Sequence, residues 1–180
     1  MSCFLSDGYS LDCRNASLGG LKELYILGDS GSTISGYTTN VDDAIVSASG
    51  TGTFYRFELV KQSSSLTEEI TVNDTAQSVV FGPNITINLP KLNQSLRNLF
   101  FDLVKQNELY CIVKDNNDRY FSVFWTNGGV VSTGTMQTGQ AYNDLNGITL
   151  SMTGGEPSPS SEIIVVTDLQ AVFTGITVQS

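Results

Sequence analysis

The chain has 180 residues, of which 9 are basic and 18 acidic and none is histidine, for a formal charge of −9. That balance repels nucleic acid and anionic membrane surfaces at long range, which argues against tight DNA binding. Without histidine the usual general base and the common catalytic triads are missing. With only 15% charged and 40% apolar residues, a folded core must be wrapped in a largely neutral Ser, Thr, Asn and Gly surface, as suits subunits that pack on one another and equally a monomeric β-domain with Ser/Thr-rich strands.

Residues 1–20 mix Gly, Ser, Asp and Cys without period and read as an N-terminal arm anchored by Phe4, Leu5 and Leu11. The start carries no basic and apolar leader, and no later run reaches the ~18 apolar residues of a membrane span, so a protein made and kept in the cytosol is expected. Leu21–Leu27 reads as a strand buried on both sides, since Leu24 and Ile26 share one parity and Tyr25 and Leu27 the other. Residues 28–52 read as a long Gly/Ser loop with apolar beads at Ile34, Tyr37, Val41, Ile45 and Val46. It either folds on its own subunit or docks on a neighbouring copy.

From Thr53 to Asn73 two alternating runs are joined by a Ser-rich bend and predict a long amphipathic hairpin. Tyr55, Phe57 and Leu59 oppose Arg56 and Glu58, while Leu66, Glu68, Ile70 and Val72 oppose Thr67, Glu69 and Thr71. Residues 78–89, broken by Gly82-Pro83, read as two short strands or one bulged edge strand. A helix is predicted from about Pro90 or Asn93 to Gln106, with Leu92, Leu96, Leu99, Phe100, Leu103 and Val104 on one stripe and Asn93 as N-cap. Leu109–Asp115 and Arg119–Trp125 flank an Asn116-Asn117-Asp118 turn, and 129–136 and 147–153 alternate again before a Gly/Pro turn and closing strands near the end. The sum, about eight to ten strands and one helix, predicts a mainly β single domain, a sandwich or barrel with a flanking helix.

No reaction centre emerges, so an enzyme is not expected, nor a cofactor or metal. Asp42-Asp43 lies in the loop and Glu68-Glu69 points to opposite faces of a strand. The Gly-rich spots at Gly50-Thr51-Gly52 and Gly154-Gly155 lack the phosphate-loop lysine, and the oxygen-rich Asp115–Asp118 run lacks the spacing of a calcium loop and reads as a turn. Cys3, Cys13 and Cys111 show no metal-ligand spacing. Cys3 and Cys13 could pair, but free thiols are the expectation.

In this order of elements, and in Gly139–Pro157, GQAYNDLNGITLSMTGGEP, the chain resembles the major tail tube proteins of tailed bacteriophages, and more distantly the tube subunits of contractile injection machines. The resemblance implies a virion tail component, assembled in the host bacterial cytoplasm as stacked rings of about six copies. Each copy lends strands to a β-barrel whose lumen passes genomic DNA without specific binding, and further contacts are with other tail proteins. Taken with strand parity, it makes Arg56, Glu58, Thr67, Glu69, Thr71, Thr149, Ser151 and Thr153 lumen-facing candidates, with Arg56 pairing to Glu58 or to a neighbour's Glu69. A neutral-to-acidic bore would let DNA slide where a cationic one would hold it. Ile34, Tyr37, Val41, Asp42, Asp43 and Ile45 become candidates for contact between rings.

Other readings remain open at this point. A head decoration, collar or tail-terminator protein would share an all-β fold. A secretion or injection tube would pass protein instead of a genome. A carbohydrate-binding β-sandwich would use Trp125 and exposed tyrosines as stacking faces.

Overall fold

The computed structural model describes residues 17–28 and 31–179; the expected arm anchors Phe4, Leu5 and Leu11, with Cys3 and Cys13, lie outside them. In chain order the elements are β1 (Leu21–Leu27), β2 (Thr33–Thr39), β3 (Ile45–Glu58), β4 (Ser65–Asn73), β5 (Ser78–Pro90), α1 (Gln94–Lys105), β6 (Tyr110–Asp115), β7 (Tyr120–Val123), β8 (Val130–Gln137), β9 (Gly147–Thr153), β10 (Glu162–Ile163) and β11 (Phe173–Val178). A 3-10 turn at Leu169–Val172 precedes the last strand. The fold is mainly β, with eleven strands in two sheets and one α-helix among the described residues, consistent with the expected sandwich and flanking helix.

One sheet closes on itself. β1 pairs with β6, β6 with β7, β7 with β10, β10 with the start of β3, and the end of β3 returns to β1. β2 and β11 flank the middle of β3. The other sheet is open and antiparallel, in the order β4-β5-β9-β8.

Alternation along β1 decides where the two cores form. Leu24 and Ile26 point into a layer shared with Ile85 and Ile87 of β5, Leu150 and Met152 of β9, and Cys111 and Val113 of β6. Tyr25 and Leu27 point the other way, into the closed sheet, with Ile112, Phe54, Trp125 and Phe173. β1 is thus buried on both sides, as its sequence predicts. Each such aliphatic side chain contributes about 1.5–3 kcal/mol by leaving water. The aromatic group is tightly packed, with Phe54 and Phe173 centroids 5.3 Å apart and Trp125 6.0 Å from Phe173.

Two expectations are overturned here. From Thr33 onward the expected loop is instead an antiparallel hairpin of β2 and the first half of β3, turned at Asn40, whose side-chain oxygen accepts the N–H groups of Asp42 and Ala44. The runs 53–58 and 65–73 do not pair with each other. Leu59 N–H donates to the Lys22 carbonyl and Leu21 N–H to the Ser64 carbonyl, so the chain stays on β1 until it crosses to the open sheet. There β4 pairs with β5 in register from Ser65↔Thr86 to Asn73↔Ser78.

β5 is also one continuous strand, internal to its sheet, where a broken or edge strand is expected from Gly82-Pro83. Pro83 is tolerated because it lies where β9 ends, its carbonyl still accepting Gly154 N–H. The helix matches its prediction closely. Asn93 caps it by accepting Leu96 N–H at 2.8 Å, and Lys105 stands in the last turn, where a cation suits the helix dipole. Its stripe is only partly used: Leu103 is buried and Leu92, Leu96 and Phe100 are half-buried, while Leu99 and Val104 stay exposed, as does Phe101 beside it. Phe100 sits against Gly134 of β8, where a Cβ would lie 2.6 Å from the ring.

Candidate assembly surface

The open sheet has one apolar and one polar face, and the polar one gathers six of the eight lumen candidates. Thr67, Glu69 and Thr71 come from β4 and Thr149, Ser151 and Thr153 from β9, all of one parity across the register. Between them lie Asn84, Thr86 and Asn88 of β5, and beyond β9 lie Thr133 and Thr135. The Thr86 and Ser151 hydroxyls are 3.1 Å apart, and Thr149 donates to Asn88 Oδ1 at 2.6 Å. Glu69 is the one ionisable side chain among the described residues of this face, and Val80 and Val130 interrupt it.

Arg56 and Glu58 lie elsewhere, because β3 belongs to the closed sheet. Arg56 reaches Glu23 at 2.9 Å and Glu58 at 3.1 Å within the same chain, so the expected Glu58 pairing is present and Glu23 joins it. Glu23 is buried and also accepts the Tyr25 hydroxyl at 2.7 Å. Burial, then the bond to Glu23, pushes the Tyr25 phenol well above its usual range. This cluster is a structural wedge that satisfies a buried carboxylate. The parity of Arg56 is legible in sequence; its sheet partner is not.

The inter-ring candidates divide similarly. Ile45 is buried inside the closed sheet and the half-buried Ile34 packs against the same core, so both serve the core of their own chain. Tyr37 is half-exposed, its ring meeting Trp125 edge-on at 6.0 Å. Val41, Asp42 and Asp43 form the exposed tip of the β2–β3 hairpin, with Asp43 at φ 60°. Trp125 is itself buried and donates to the Cys111 carbonyl, so the stacking face expected for a sugar is not presented. The Asp115–Asp118 run is a turn, since the Asp115 carboxylate accepts the N–H groups of Asn117 and Arg119.

Sequence reasoning does not single out the edges of the open sheet. Among the described residues β4 pairs only with β5 and β8 only with β9, so each leaves a row of backbone groups directed outward. Native edges are usually blunted by lysine or other charged side chains, inward-pointing charges, proline or bulges. β8, VVSTGTMQ, has no charge and no proline, and its single register shift lies at Val131/Thr133, near its start. β4 has neither lysine nor proline, and its charges are Glu68, bonded to Ser160 of its own chain, and Glu69. Among the described residues no helix is long and apolar enough to cross a membrane.

No protein-family model, no curated protein and no solved structure matches this chain.

Proposed function

We propose that this chain is the repeating subunit of a bacteriophage tail tube, closing into rings that stack around a channel for DNA. The observation that carries the reading is the open sheet, with two edges that pair with no further strand among the described residues and a Ser/Thr/Asn face bearing a single acid. An even strand number matters here. With β4, β5, β9 and β8 all antiparallel, β8 of one copy meets β4 of the next in antiparallel sense, so rotation alone continues the ladder. About six copies would close ~24 strands, wider than the roughly 16–18 that already leave an aqueous channel.

In this reading Thr67, Glu69, Thr71, Thr149, Ser151 and Thr153 face the DNA. Hydroxyls and one carboxylate per copy release no counterions from the duplex and so do not hold it. The β2–β3 hairpin tip, with Val41, Asp42 and Asp43, reaches toward the next ring. Negative-stain microscopy of the concentrated protein tests the proposal. Rings or tubes with an open centre are expected, and a species that remains single at all concentrations would refute it.

A further inference from the structure

We infer that each copy is displaced from the next by four or six residues along the strands, which sets β8 level with the next copy's β4, and that this shift lays the exposed flank of α1 over the neighbour's β4–β5 hairpin. The inference rests on the ring reading and specifies its contact.

The two edges are staggered. Following the register across the sheet, Val130–Gln137 of β8 lies level with Asn84–Pro90 of β5, whereas Ser65–Asn73 of β4 lies level with Thr86–Ser78. The middle of β8 is therefore opposite Ile87 and the middle of β4 opposite Gly82, five positions apart, or ~17 Å at ~3.4 Å per residue. A barrel with strands tilted about 35–45° needs a displacement of ~13–19 Å for every four strands spaced ~4.8 Å. The stagger supplies it. Keeping core-facing residues beside core-facing residues requires an even shift, hence four or six.

The direction agrees as well. Phe81 exchanges both backbone bonds with Glu156, and it shares the parity of core-facing Ile85, so core-facing residues of β5 bond toward β9. For L-residues this places β9 and β8 to the right of an upward β5 seen from the core side, with β8 the higher edge. The normal sheet twist raises the right-hand neighbour in a closed barrel by the same sense.

Two exposed apolar patches then meet. On the core side of the hairpin, beyond the end of β9, Ile70 pairs with Phe81 and Val72 with Val79; Ile70 is 64% and Val72 63% exposed. On the same side of the sheet, at its opposite edge, α1 lies over β8 and leaves Phe101 59% and Val104 48% exposed. Helical spacing puts both on the Phe100 side of the helix, toward β8, while Leu99 faces Ile26, Tyr55 and Phe57. Charge fits too. On that side and at its turn the hairpin carries Glu68 and Asp74 with no base between residues 65 and 82, whereas 91–105 carry Lys91, Arg97 and Lys105 with one acid, Asp102. Such a head-to-tail contact between two different patches closes rings by rotation.

Cross-linking tests it. In a Cys3→Ser, Cys13→Ser background, a Val72→Cys, Val104→Cys chain treated with a short bis-maleimide should give a ladder of oligomers, while each single cysteine variant alone should give none beyond background. Separately, Ile70→Asp with Val72→Asp should raise the concentration needed for ring formation by roughly tenfold or more, without altering the melting temperature of the monomer. Rings that form normally in that variant, with no cross-linked ladder in the other, would overturn this contact and leave the ring reading intact. A parent chain that never assembles would overturn both.

Discussion

The backbone alternation of β8 permits a paired proline experiment that separates fold from assembly. Phe81 bonds to Glu156 and Lys91 N–H donates to Asn146, so even-numbered residues of β9 bond to β5 and odd-numbered ones to β8. Thr135, opposite Thr149, therefore directs its N–H inward, and Met136, opposite Ile148, directs its N–H to the open side. Thr135→Pro removes a ladder bond and leaves a partly buried carbonyl without its donor, a loss of about 2–4 kcal/mol. At roughly 2–4 °C per kcal/mol for a chain of this size, melting should fall by about 4–16 °C. Met136→Pro removes no internal bond, and Met136 is already 40% exposed, so its cost to the isolated chain is about 1 kcal/mol or less. It should instead block the junction, where one hydrogen bond of about 0.5–1.5 kcal/mol is lost and the proline ring obstructs the incoming strand. Circular-dichroism melting and sedimentation velocity read the two effects separately. If Met136→Pro assembles like the parent, or melts as low as Thr135→Pro, the assignment of β8 as a joining edge is wrong.

Arg56→Met should destabilise the chain by about 1–3 kcal/mol in chemical denaturation, because the buried Glu23 loses its charge partner; the loss is moderated by the partial exposure of Arg56. Asn93→Ala should cost about 1 kcal/mol through the lost cap of α1, measurable by the same method. Burial pushes the Cys111 thiol far above its usual range, so it should resist a thiol reagent at neutral pH until the chain is unfolded, which a timed mass-spectrometric labelling experiment reads. The carboxyl of Asp115 is desolvated, yet hydrogen bonds from Asn117 and Arg119 outweigh this and hold it below the ordinary carboxylate range. With the folded value depressed, its stabilisation is complete above the unfolded value of about 3.9 and disappears as pH falls through the folded one. A carboxyl NMR titration should place the Asp115 midpoint below that of an ordinary aspartate.

Elements whose evidence is local are legible in the chain. β1 spans the predicted residues, α1 begins at its predicted cap, and the β6–β7 turn follows from Asp115 and the two asparagines. Pairing over distance is not legible in the same way. β3 is 14 residues long and changes partner along its length, from β10 and β2 to β11 to β1, which no window of sequence records. Its first half is rich in Gly, Ser and Thr, so its strand character comes from the ladder and not from burial. The partner of β4 did leave a signal: Asn73 accepts Thr75 and Ala76 N–H groups, and the Asn73-Asp74 pair marks the turn into β5. The polar face was readable by parity within β4 and β9, while Arg56 and Glu58 were joined to it only by assuming that β3 and β4 pair.

The two-sided strand β1 has a consequence for how errors are rejected during folding. A slip by one residue would send Tyr25 and Leu27 where Leu24 and Ile26 belong, and the reverse, so both interiors would be wrongly filled at once. A strand with one wet face can slide and lose one set of contacts. This one acts as a key cut on both edges, admitted at a single depth.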